Sequence, residues 1–234
     1  MNKKISIVII LTIVAVSLMT GCGASSGTGR YVVPSEISGG SGSGTGEGGS
    51  GGGYSPGGQV ESDVNTLITS AWSDFGYGAY SSAINKFNEA AMNTNVTATQ
   101  LAEANNGLGW ALTKANGAAA GLPYFLRAAD LIDESKLGLA AAYIQNGDYE
   151  NAKNYLEVLG LNNTSFTLTT VHSVGVTNAE AHAMLSLAYF MTGDRQGCID
   201  QIKCATANDL SSDSTVKQIR NVLLTLDPTL ANYI

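Results

Sequence analysis

The chain has 234 residues, a formal net charge of −7 and a sequence pI near 4.7. Lys3, Lys4, Arg30, Glu36 and Glu47 are the charges before residue 61, so residues 61–234 hold 17 acidic and 9 basic side chains, a net −8. That balance argues against binding nucleic acid or anionic headgroups by electrostatics, and a 174-residue remainder is long enough for one domain with its own core.

The chain opens with Lys3 and Lys4, then a 15-residue apolar run from Ile5 to Met19 interrupted by Ser6, Thr12 and Ser17. Thr20, Gly21 and Cys22 follow. A basic start, an apolar stretch and small residues are the layout of a secretory signal. As a helix the run spans about 22 Å, short of the roughly 30 Å hydrocarbon core, which disfavours an uncleaved anchor. The Leu18-Met19-Thr20-Gly21-Cys22 segment resembles the lipobox of bacterial lipoproteins, although Met19 stands where that family prefers Leu. The resemblance implies cleavage after residue 21 and acylation of Cys22. The alternative is an ordinary cleaved signal, to which Cys22 is incidental. Gly23, rather than Asp, follows the cysteine. By the family's practice this implies the outer membrane in a bacterium with two membranes, with the lipid as the link to the bilayer.

Residues 23–60 hold 15 of the chain's 28 glycines together with many serines. Such a segment buries too little apolar surface to offset its ordering entropy, so 22–60 reads as a tether with an r.m.s. span of roughly 35 Å. The domain is expected at 61–234.

From residue 61 the apolar spacing is helical, in Ala-rich segments separated by Gly, Asn and Asp. The clearest unit is 136–160: an Ala-rich helix ends at Asn146-Gly147, Asp148 caps the next, and Tyr149, Ala152 and Leu156 share one face. It resembles the tetratricopeptide repeat, a helix-turn-helix of about 34 residues. Three further copies are suggested by Gly78-Ala79-Tyr80 with Ala83 and Phe87, by Leu108-Gly109 with Gly121 and Phe125, and by Gly193-Asp194 with Cys198 and Ile202. The small positions Ala83, Gly121, Ala152 and Cys198 lie 38, 31 and 46 residues apart, so the array is irregular. The resemblance implies an all-α fold, a right-handed solenoid of about four helix pairs.

Several boundaries have local causes. Thr97-x-x-Gln100 is a capping box, Asn178 is placed to cap the first helix of the fourth pair, and Pro123 suggests a second-pair helix starting late, near Leu122. Ser214 opens a final helix that Asp227-Pro228 stops; a solenoid needs such a terminal cap. The extra length at 161–177 is rich in Thr, Val and Phe with partial alternation, which favours a short β-hairpin or an ordered loop.

Motifs for chemistry are sparse. His172 and His182 have no Cys or carboxylate at metal-ligand spacing, no Gly-x-Ser-x-Gly elbow occurs, and Asp133-Glu134 falls at a helix start, where it suits the macrodipole. On one helix, Cys198 and Cys204 would stand about 9 Å apart along the axis, beyond the roughly 7 Å a disulfide allows, so both read as free thiols. No enzyme, metal or cofactor is expected.

The function is therefore sought in surface shape. In the tetratricopeptide family the first helix of each pair lines a concave groove. Carried over, the groove would present Trp72 and Phe75 from the first copy, Glu103, Asn106, Trp110 and Lys114 from the second, Glu134 and Ile144 from the third, and Phe190 from the fourth. That implies a membrane-anchored adaptor of the cell envelope, holding a protein or peptide in an apolar groove. A permanent structural subunit of an envelope, pilus or secretion assembly is the alternative. The same stripe would equally suit packing against the insert, the tail Leu230–Ile234 or the tether.

Overall fold

The computed structural model describes residues 56–209, 211 and 214–234. The signal, Cys22 and the tether up to residue 55 lie outside them. The described residues are all-helical: α1 (Pro56–Gly76), α2 (Tyr80–Ala91), α3 (Ala98–Asn116), α4 (Ala118–Ala128), α5 (Asp133–Asn146), α6 (Tyr149–Val158), α7 (Asn178–Thr192), α8 (Arg195–Asn208) and α9 (Thr215–Leu226), then a 3₁₀ turn (Pro228–Asn232). Among them no helix is long and apolar enough to cross a membrane. α1 begins at Pro56, ahead of the expected boundary at 61; proline suits a first helical position because its missing N–H would have no helical acceptor.

Each helix packs on its neighbour in sequence, and α1, α3, α5, α7 and α9 also pack side by side. The fold is thus α-solenoid-like, with the odd-numbered helices as its inner row. Burial follows from that position. α3, α5 and α7 are buried on most sides, whereas α2 buries a stripe of Ala83, Phe87 and Ala90, and α6 buries Ala152 and Leu156.

The small positions do what their size permits. Ala83, Gly121, Ala152 and Cys198 are all buried. At Gly121 a Cβ would lie 2.5 Å from the Gly109 carbonyl oxygen, so α3 and α4 touch backbone to backbone. The Phe125 ring fills the space left by three glycines: a Cβ on Gly109, Gly121 or Gly138 would sit 2.4, 2.6 or 2.4 Å from it.

The Gly-Asp turn is used twice. Gly147 and Gly193 adopt φ of 77° and 93°, a left-handed conformation that ends α5 and α7. Asp148 and Asp194 then accept from the Asn151 and Gly197 amides at 3.2 and 2.8 Å, starting α6 and α8. The Thr97/Gln100 capping box and the Ser214 cap are both present. At the C-terminus α9 lies against α7, burying Val216, Ile219 and Leu223. Leu230 is buried as well, and Arg195 reaches Asp227 (3.3 Å) and Thr229 (2.8 Å).

Two local expectations are corrected, and a third is decided between its alternatives. α4 starts at Ala118, not near Leu122, and carries Pro123 inside it. The carbonyl that Pro123 cannot bond belongs to Ala119, and both residues are exposed, so water can serve it. The cap of α7 is Thr177, in a capping box with Glu180; Asn178 instead accepts from the Leu168 amide at 2.7 Å. Of the two forms expected for the insert, it takes the loop and not the β-hairpin. Its residues have no strand partner among the described residues; after turns at 161–165 the segment lies as a strap on the helices, bent at Val171, His172 and Gly175.

Candidate functional site

From Phe166 to Val176 the strap alternates strictly. Phe166, Leu168, Thr170, His172, Val174 and Val176 are half-buried or buried, and every residue between them is exposed. One face is thus turned down throughout, although the backbone bends at Val171, His172 and Gly175. Its first half is fixed by His182, fully buried on α7, whose Nδ1 and Nε2 lie 2.6 Å from Gln201 Oε1 and 3.2 Å from the Phe166 carbonyl oxygen. Gln201 in turn donates to the Leu161 carbonyl at 2.9 Å.

The second half crosses the odd-numbered helices and ends in a polar cluster. Trp72 comes from α1, Glu103 and Asn106 from α3, Glu134 and Ser135 from α5. The His172 ring stacks on the Trp72 indole, with centroids 3.7 Å apart and planes 6° from parallel. Its Nδ1 is 2.8 Å from Glu134 Oε2 and its Nε2 3.2 Å from Glu103 Oε1. The His172 amide donates to Glu134 Oε1 at 3.0 Å, and Trp72 Nε1 donates to Glu103 Oε1 at 2.7 Å. Asn106 Nδ2 donates to Glu134 Oε2 at 2.9 Å while its Oδ1 accepts from Ser135 Oγ at 2.9 Å.

The electrostatics follow from burial. Two carboxylates converge here; Glu134 is 7% exposed and sits in the first turn of α5, where the helix dipole favours its charge. Glu103 has its carboxyl pushed above the ordinary range, chiefly by burial, and further by the neighbouring Glu134 charge. The His172 charge and the Trp72 hydrogen bond pull the other way. Carboxylate oxygens stand beside both ring nitrogens, Glu134 at hydrogen-bond distance and Glu103 at an ion-pair distance of 3.2 Å, which makes the site complementary to a cation.

Of the residues expected to line an open groove, Trp72, Glu103, Asn106 and Glu134 are brought together, but under the strap rather than facing water. Lys114 lies half-buried beside the strap, close to Gly175. Trp110 is a correction: it is 1% exposed, packs edge-on against Phe125 at 5.1 Å, and belongs to the core. Its indole N–H has no partner among the described residues. Phe75 and Ile144 are core too, Phe75 meeting Trp72 edge-on at 5.4 Å, and Phe190 is half-buried against that core. The tail does not fill the face, since Leu230 is buried at the C-terminal end beside α9.

Sequence reasoning missed His172, Ser135 and Val174. The usable signal was the alternation within the insert, which marks every second residue from Phe166 as facing one way. Among the described residues no group of three or more His, Cys, Asp and Glu is arranged to hold a metal ion. No protein-family model matches the chain, and no curated protein matches it.

Proposed function

We propose that the chain is a lipid-anchored adaptor of the bacterial cell envelope. In this reading its helix pairs are tetratricopeptide-like and stack with a right-handed turn, Cys22 carries the acyl chains, and residues after it tether the domain to the membrane. The domain binds an extended segment of another envelope protein on the face of the odd-numbered helices and catalyses no reaction. One observation carries this reading: a non-helical segment already lies on that face, held by alternate side chains. A surface that accommodates the chain's own strap in that way has the shape and the polar groups to hold a strand from elsewhere.

A second reading is a permanent subunit of a larger envelope assembly. It is favoured by an apolar depression between α2, α3 and α4, lined by Met92 (79% exposed), Leu131 (60% exposed), Leu101 and Tyr124. Photo-crosslinking in intact cells separates the two. A photoreactive residue at Val171, on the outer side of the strap, should give a discrete adduct if the adaptor reading holds. Adducts at position 92 or 131 with none at 171 would favour the permanent subunit. Cys22→Ser should release the protein from the membrane fraction, and a mature chain that starts elsewhere and carries no lipid would overturn the anchoring.

A further inference from the structure

Resting on the adaptor reading, we infer that His172 is an internal stand-in for a cationic side chain of the partner. The segment this face accepts then has Lys, Arg or His at one position and a β-branched aliphatic residue two places on.

The argument begins with what the site offers. Trp72 presents an indole face at stacking distance from a planar ring, and Glu103 and Glu134 present carboxylate oxygens at both nitrogens of that ring. An aromatic face beside converging carboxylates is a receptor for a cation, through cation–π attraction and charge-assisted hydrogen bonds together. Asn106 and Ser135 hold Glu134 in place whether or not the strap is present, since their contacts run between α3 and α5. The receptor is thus built by the helices; the strap supplies the occupant. Two residues on, past a tight turn in which the Val174 amide donates to the His172 carbonyl at 2.9 Å, Val174 is fully buried, which gives the site its second element, an apolar slot.

The strap's attachment is also of a kind that can be exchanged. The His172 amide donates to Glu134, Lys114 of α3 stands beside Gly175, and the Leu168 amide is held by Asn178 at the strap's edge. Val171, at the centre, is 88% exposed. An incoming strand can therefore replace His172 and Val174 without displacing any helix. The domain's net charge of −8 adds long-range attraction for a basic segment.

The test uses the full chain in detergent and fluorescent peptides carrying the strap sequence of residues 166–178, with His, Arg, Ala or Glu at the position of His172. His172→Ala should bind the His and Arg peptides at least tenfold more tightly than the unaltered chain does, and the Ala and Glu peptides at least tenfold more weakly than the Arg peptide. His172→Arg, which keeps a cation in the site, should stay closed and bind like the unaltered chain. Glu103→Gln combined with His172→Ala should reduce the preference for Arg over Ala. Equal binding of all four peptides would overturn the cation assignment while leaving a peptide-binding face. No binding of any peptide to a folded His172→Ala chain would overturn the adaptor reading of this face as well. Should His172→Ala not fold, His172→Gln, which keeps a planar group and removes the charge, takes its place with the same four peptides and the same outcomes.

Discussion

Replacing Gly138 by alanine sets two effects of opposite sign against each other. In a helix interior alanine is favoured over glycine by about 1 kcal/mol, so α5 alone would gain. The new methyl carbon, however, would lie 2.4–2.5 Å from three atoms of the Phe125 ring, where carbon atoms prefer about 3.5–4.0 Å. The ring would have to retreat by roughly 1 Å. It has nowhere to go: Phe125 is fully buried, and it lies so near Gly109 and Gly121 that a Cβ on either would meet the ring as closely. Overpacking of this sort costs about 1–3 kcal/mol. Set against the propensity gain, the packing cost leaves a net loss of up to about 2 kcal/mol, which for a domain of this size lowers the melting temperature by up to about 8 °C. Thermal and urea unfolding monitored by circular dichroism give the number. Gly76→Ala is the control, since nothing lies within 4 Å of its added carbon and it ends α1. Adding Phe125→Leu to Gly138→Ala should recover part of the loss relative to the two single changes combined. If Gly138→Ala raises the melting temperature, the ring is not held on three sides.

Trp110→Ala should cost about 3–5 kcal/mol of stability, as for an aromatic side chain in a core, and any loss of binding should track unfolding; an unchanged melting temperature would return Trp110 to the surface. Glu103 gives a pH prediction. Its carboxyl is raised in the folded state, so the native chain binds the extra proton, and stability from this group is greatest at acid pH and falls as pH rises through the raised value. The stability of Glu103→Gln relative to the unaltered chain should therefore improve from acid to neutral pH, and the opposite slope in urea unfolding would refute the burial argument. Burial also raises both described thiols, Cys198 and Cys204. Iodoacetamide should leave fully buried Cys198 unmodified in the native protein and label Cys204, which is half-buried, slowly.

What the sequence made legible is what local chemistry decides. A glycine followed by aspartate ends one helix and caps the next at 147–148 and again at 193–194, and the signal needs no knowledge of the fold. Thr97/Gln100 and Ser214 are legible for the same reason. Trp110 was not, because a repeat position fixes a side chain's direction along its helix and says nothing of what lies opposite. Trp110 meets Phe125 from α4, and Phe125 is drawn in by glycines on three helices, a tertiary arrangement. The N-cap of α7 was misplaced by one residue because Thr177 and Asn178 are both good caps, and a long-range contact to Leu168 engages the asparagine. The site was half legible. Its glutamates, asparagine and tryptophan came from repeat register, whereas the histidine that joins them comes from a segment outside the repeat.

A helical array of this kind is close to one-dimensional: each pair touches its neighbours, and unfolding can begin at an end and travel inward. The strap breaks that rule. Through His172 it joins Trp72 on α1 to Glu134 on α5, so the first and third pairs share a contact that skips no helix in space but skips many in sequence. Fraying of α1 must then give up part of the third pair's stabilisation as well, which makes the N-terminal half melt as one cooperative unit. Because α6 packs directly on α7, the strap is a side branch of the array rather than a link in it. Lifting it leaves the stack continuous yet restores independent, end-first opening to the pair nearest the N-terminus.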